Sequence, residues 1–208
     1  VALVFTFGHY VKDLRQSRAI IACMLALFLI GGGVSLWAEY QPNPLLNNVA
    51  VEQTAPLEGK EARFGTTATV LWSVTTTAAS NGSVNGMHDS LNPLSGMVSL
   101  VNMMVGEVIF GGVGAGLYGM LLNVLIAVFL AGLMIGRTPE YLGKKLQARE
   151  VQLLVVTLLV MPLGVLVLGA LATSLPGPAA TISNPGPHGF SQLLYAYTSA
   201  SANNGSAF

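Results

Sequence analysis

Charge is what this 208-residue chain has least of. Asp, Glu, Lys and Arg together make up 9% of it, where an average soluble domain carries roughly a quarter. Formal net charge is zero and no basic stripe is present, which excludes a nucleic-acid partner. The single cysteine, Cys23, sits inside an apolar run and leaves no intrachain disulfide to build a fold around. No signal-peptide pattern, P-loop or phosphorylatable P-type motif occurs, so nucleotide hydrolysis is not expected of this sequence. His9, His88 and His188 lie far apart on loops without metal-ligand spacing. Beyond Glu150 there is no charged residue at all.

What the chain has instead is apolar length. It is 52% hydrophobic with a mean hydropathy of +0.64, a membrane composition. Residues 1–18 read as the end of a preceding helix and a basic loop holding Lys12, Arg15 and Arg18. Ala19–Ala38 is uncharged, ends at Trp37 and Tyr40, and matches the roughly 20 residues of a spanning helix. Gly31-Gly32-Gly33 suits close approach of a neighbouring helix. Residues 39–63 are polar and proline-bearing, an outer loop. Residues 64–78 are too short to span and read as a re-entrant half-helix leading into a polar stretch at 79–85. Asn92-Pro93 delays the next helix to near Gly96. From there to Gly136 is about 40 residues, roughly 60 Å of helix against a core of about 30 Å, so the helix must break. The glycine-rich run Phe110–Gly119 locates that break. Residues 137–150 form a second basic loop and 151–175 a third spanning helix, kinked at Pro162. A second half-helix at 188–200 leads into a second polar stretch at 201–208. Seven of the nine Lys and Arg residues fall in the two basic loops, which places those loops in the cytoplasm. Val1 is not a methionine and the end falls inside the second polar stretch, so the sequence reads as part of a longer polypeptide.

The two polar stretches are copies. Asn81-Gly82-Ser83 aligns with Asn204-Gly205-Ser206, Leu71-Trp72 with Leu194-Tyr195, and Thr75 with Thr198. Carbonyl-rich irregular backbone survives at membrane depth only when buried in protein or lining a wet pathway. A half-helix entering from the outer face points its negative C-terminal end at the midplane, which favours a cation there. The turn beyond it supplies carbonyls that can replace a hydration shell, as in potassium filters. With no acidic ring beside either copy, a monovalent cation is favoured over a divalent one. The candidate ligands for such a cation are therefore Ser80, Asn81, Gly82, Ser83, Asn203, Asn204, Gly205 and Ser206. Glu107, an acid at membrane depth, is a pathway candidate, with Gly111, Gly112, Gly114 and Gly116 of the glycine run as a barrier below the ligands. Asp89 is placed at the outer mouth. Gly114–Gly119 also matches G-x-G-x-x-G, but its membrane-apolar flanks exclude a dinucleotide fold. Both Asn-Gly-Ser triplets match the glycosylation pattern, which burial in a membrane would hide.

Ser80-Asn81-Gly82-Ser83-Val84-Asn85, Gly86-Met87-His88-Asp89, the glycine-rich break and Ser201–Phe208 together resemble, over the whole chain, the potassium-translocating A subunit of bacterial Kdp-type potassium ATPases. The resemblance implies an all-α membrane protein with potassium-channel-like repeats of helix, re-entrant pore half-helix, filter loop and helix. It implies four such repeats, of which this chain would hold the third and the start of the fourth. It further implies K⁺ as the transported ion and the bacterial inner membrane as the location. The partners implied are membrane lipid, small accessory subunits and a separate P-type ATPase subunit reached through an intramembrane tunnel. On the same ground Arg137 becomes a gating or pairing residue, and the chain itself is no enzyme. The neighbouring alternative is a Trk/Ktr-type channel or symporter without an ATPase partner.

Overall fold

The computed structural model describes residues 1–43 and 57–208; part of the outer loop read at 39–63 lies outside the described residues. Helix α1 (Ala2–Val11) ends at left-handed Lys12, and Asp13 caps α2 (Leu14–Glu39) by accepting from the Arg15 amide at 2.9 Å. That cap starts α2 five residues earlier than hydropathy alone suggests, and brings Arg15 and Arg18 onto the helix. The order continues with α3 (Gly65–Ala78), α4 (Pro93–Met104) and α5 (Ala115–Ile135). A two-stranded hairpin, β1 (Glu140–Tyr141) and β2 (Lys144–Lys145), lies within the loop expected at 137–150. It leads to α6 (Ala148–Leu163), which runs through a π-turn at Gly164–Leu168 into α7 (Gly169–Ser174). The short α8 (Pro176–Ala179) and then α9 (Gly186–Ala202) complete the chain.

Three helical stretches are long and apolar enough to cross a membrane: Leu14–Glu39, Ala115–Ile135 and Ala148–Ser174. Their outward faces carry side chains such as Leu130, Met134, Val160 and Leu166, the composition of an all-α membrane protein. Pro162 does not end its helix. It lacks an amide to donate to the preceding turn, and the wider π-turn that follows it absorbs the mismatch. Asn92-Pro93 likewise starts α4 rather than delaying it, because proline at the first helical position gives up only an amide that has no partner there.

Helices α2, α3 and α4 pack through small polar side chains. Ser35 and Ser95 share a hydrogen bond at 2.5 Å, Ser73 and Ser99 one at 2.8 Å, and the Asn102 amide donates to Thr77 Oγ1 at 3.1 Å. All six are buried, as expected where helices meet without a hydrophobic gradient to drive them together. Val70, Val74 and Val98 fill the space between, with Phe28 and Leu36. Of the three adjacent glycines on α2, only Gly31 is in such a contact: a Cβ there would lie 3.3 Å from Val98, while Gly32 and Gly33 face open space.

The break comes earlier than the glycine run suggests. Helix ends at Met104 and resumes at Ala115, so 105–114 is non-helical and Gly116 and Gly119 lie within α5. The physical reason is that these glycines do different jobs. Gly106, Gly111 and Gly114 adopt φ of 84°, 68° and 83°, which a Cβ opposes. Gly116 is instead a contact residue: a Cβ there would sit 2.0 Å from the Phe110 carbonyl.

One ion pair fixes the outer end of this bundle. Glu39, at the C-terminus of α2, meets Lys60 at 2.7 Å with both side chains 1% exposed, and also accepts from the Asn92 amide at 3.0 Å. Removing one partner of such a pair costs about 3–5 kcal/mol, because the other charge is left buried and alone. Lys60→Met is therefore expected to lower the melting temperature of the full-length protein markedly, and adding Glu39→Gln to recover most of the loss. Equal melting of Lys60→Met and wild type would show the pair to be open to water.

Candidate functional site

Helices α3 and α9 end in the same way, 123 residues apart. Each is closed by a left-handed residue, Ser80 (φ 54°) and Asn203 (φ 62°). The Asn81 and Asn204 amides then donate back into the last turn, to Thr76 O at 3.0 Å and Ser199 O at 2.9 Å. In each loop the asparagine side chain accepts from the serine amide two residues on, at 2.8 Å for Ser83 and 3.0 Å for Ser206. Behind each loop a hydroxyl from the helix bonds its carbonyls. Thr76 Oγ1 shares its one proton between Asn81 O and Ser83 O, and Ser199 Oγ donates to Ser206 O at 2.5 Å. The carbonyls of Gly82, Asn204 and Gly205 accept no hydrogen bond from the described residues.

The loops lie against each other. A Cβ on Gly82 would stand 2.8 Å from the Gly205 carbonyl carbon and 3.0 Å from the Asn204 oxygen. Gly82 is thus required by close approach rather than by its own torsion; of the two, Gly205 is the one with positive φ, 92°. Ser80 Oγ reaches Asn203 O at 3.5 Å, and Asn204 Nδ2 reaches Thr76 O at 3.2 Å.

The break passes directly beside the first loop. Its Phe110 and Gly111 amides both donate to Ala78 O, at 3.0 and 2.9 Å, and so satisfy a carbonyl at the end of α3. A Cβ on Gly112 would lie 3.6 Å from the Ser80 side chain. Glu107, buried and at φ 53°, accepts from Asn204 Nδ2 at 2.6 Å. Of the residues expected to serve the pathway, Glu107, Gly111 and Gly112 are therefore brought to the loops. Gly114 packs near Leu3 and Tyr118 and, with Gly111 and Gly112, lines an apolar cavity of about 290 Å³ beside Met24 and Leu117, and Gly116 packs on Phe110. Arg137, exposed beyond the end of α5, has no side-chain partner among the described residues.

Two side chains at the site were passed over as site residues, though the repeat alignment had already paired Trp72 with Tyr195. Trp72 Nε1 donates to Ser83 O at 3.0 Å, and the Tyr195 hydroxyl bonds Ser206 Oγ at 2.9 Å and His88 Nδ1 at 2.7 Å. The histidines are also less scattered than their sequence positions suggest. His188 Nε2 meets Asp89 Oδ1 at 2.5 Å, and Asn184 donates to the other Asp89 oxygen at 2.8 Å, which joins the stretch after the first loop to the start of α9. No cluster of metal-ligating type occurs among the described residues.

Two touching copies of a half-helix and Asn-Gly-Ser loop, set among apolar helices of spanning length, define the class: an internally repeated, all-α membrane protein. Over its whole length, residues 1–208, the chain matches the family described as Potassium-transporting ATPase A subunit (KdpA), and it belongs to that family. It is 93% identical over 208 residues to a potassium-transporting ATPase potassium-binding subunit of Pseudomonas fluorescens (strain Pf0-1), 100% of this chain and 37% of that protein. It is 80% identical over 207 residues to the subunit of that name from Pseudomonas aeruginosa PAO1, again 37% of its length. The corresponding figure for Rhodospirillum centenum is 59% over 208 residues, 36% of the relative. The chain thus spans somewhat over a third of the curated relatives it matches.

Burial pushes the His88 imidazole down to about 4. Because the folded value lies below the ordinary one near 6.5, the unfolded chain takes up a proton first as pH falls. The stability that neutral His88 contributes is complete above about 6.5 and is lost progressively towards 4. The full-length protein is expected to lose more of its melting temperature between pH 7.5 and 5 than its His88→Gln variant does. Parallel losses would mean that His88 is hydrated in the assembled protein.

Proposed function

We propose that the two Asn-Gly-Ser loops are neighbouring quarters of a K⁺-selective filter. The chain would act within the ion-binding subunit of an ATP-driven potassium uptake complex in the bacterial inner membrane. The observation that carries this reading is the shared hydrogen-bond frame. In both loops it ties the serine carbonyl back to the helix, and in the first that of Asn81 as well, and it leaves those of Gly82, Asn204 and Gly205 free for a cation. The names of the relatives support K⁺ as the ion. ATP hydrolysis falls to a separate P-type subunit, in keeping with the absence of any nucleotide motif in this sequence, and small accessory subunits complete the complex. The remaining ligands come from loops outside this chain.

Glu107 carries out two tasks in this scheme. It holds Asn204 by its side chain, and it places a carboxylate within one residue's reach of the cation site. The non-helical stretch at 105–114 acts as the barrier beneath the filter, since unwound backbone at that depth must be buried or line the pathway.

Gly82→Ser is the direct test. Its Cβ requires the Gly205 backbone to move, and a loss of about 1.4 kcal/mol in ion binding is tenfold in affinity. The expected result is a rise of about tenfold or more in the K⁺ concentration that half-saturates ATPase activity of the complete complex. An unchanged value would remove Gly82 from the filter.

Glu107→Gln keeps shape and loses charge. K⁺ uptake by this variant is expected to fall severalfold while the complex still assembles, because a carboxylate near a partly desolvated cation is worth more than an amide there. Uptake equal to wild type would place Glu107 outside the pathway.

A further inference from the structure

The hydrogen bonds around the second loop form one chain, and their direction is fixed by counting protons. Ser206 Oγ donates to Asn204 Oδ1, which spends its only proton. The Tyr195 hydroxyl must then donate to Ser206 Oγ, and so must accept from His88, whose proton therefore sits on Nδ1. Asn204 Nδ2 donates in turn to Glu107 Oε1. Every link from His88 through Tyr195, Ser206 and Asn204 points the same way and ends on a carboxylate, an arrangement in which each bond polarises the next. Tyr195 is 0% exposed and His88 2%. The tyrosine ring is also stacked on Phe208 with centroids 4.1 Å apart and planes 15° from parallel.

At the equivalent place in the first copy stands Trp72, whose indole proton goes directly to the Ser83 carbonyl. In both copies, then, an aromatic residue with one polar atom reaches from the half-helix to the serine eleven residues ahead. Such side chains combine a rigid apolar body with a single directed hydrogen bond. A ligand loop anchored in that way resists shrinking or widening around an ion of the wrong size.

We infer that Trp72 and Tyr195 are specificity-determining positioning residues, bracing the first and second loops from behind, with His88 locking the second brace. They touch no ion themselves and act through Ser83, Ser206 and Asn204. The inference rests on the proposal that these loops bind K⁺.

The test uses the complete complex and reads half-saturation of ATPase activity by K⁺ and by Rb⁺ in Tyr195→Phe, Trp72→Phe and, as reference, Gly82→Ser. Tyr195→Phe keeps the ring and removes the link, leaving buried partners unsatisfied. Its preference for K⁺ over Rb⁺ is expected to narrow by about tenfold with maximal rate retained. Trp72→Phe is expected to narrow the preference in the same direction. If Tyr195→Phe does not assemble, Trp72→Phe and His88→Gln decide by the same ratio. A lowered melting temperature with an unchanged K⁺/Rb⁺ ratio would make the aromatics merely structural and overturn the inference. Should Gly82→Ser shift K⁺ half-saturation while the aromatic variants keep the ratio, the brace falls and the loop reading stands. Should Gly82→Ser change nothing either, the loop reading itself fails, and the brace with it.

Discussion

A carbonyl with nowhere to go organises this molecule. A half-helix that stops inside a membrane leaves its last carbonyls without partners, and hydrocarbon offers no water to satisfy them. Ala78 O is met by two successive amides, Phe110 and Gly111. For those amides to arrive there, the chain has to leave helical geometry after Met104, run beneath α3 and re-enter helix at Ala115. The left-handed Glu107 lies on that detour, and its carboxylate meets Asn204 as a result. The unwound segment, the buried acid and the contact between the two loops thus follow from a single unsatisfied acceptor.

Around that point the two copies are alike in backbone and unlike in surroundings. Caps, asparagine turns and helix hydroxyls recur with the same spacing. What differs is how each loop is held from behind, by indole to carbonyl in one and by a phenol–serine–asparagine chain in the other. Equal backbone with unequal bracing suits a duplicated unit whose two copies meet different neighbours.

Much of this was legible before any coordinates. The duplicated Asn-Gly-Ser, the short Thr-rich stretch at 64–78 and the length excess between Gly96 and Gly136 pointed to half-helices, loops and a break. The exact site of the break was not legible, because composition cannot tell a glycine that unwinds a helix from one that lets two segments touch. Gly114 is of the first kind, Gly116 of the second, and Gly111 is both. Pro93 misled for a related reason: a missing amide matters only where a partner was waiting for it. His88 entered the sequence reading only within Gly86-Met87-His88-Asp89, and its role was not legible there, since it depends on Tyr195, 107 positions away. The Trp72–Tyr195 correspondence was visible in the alignment, but only the geometry shows both side chains turned towards their own loops.

The contact between Gly82 and Gly205 has a consequence for how this sequence can vary. The two positions are glycine for different reasons. A Cβ on Gly82 would run into the Gly205 backbone, whereas one on Gly205 would meet Gly82 Cα at an ordinary 3.5 Å and is opposed by its own φ of 92°. A substituent at 82 therefore has to push the loops apart, while one at 205 has to twist its own loop. Because the residues are in contact, the two costs depart from additivity. The constraint is one-sided in space: position 82 cannot drift without moving its neighbour, and position 205 is held by its torsion whatever stands at 82.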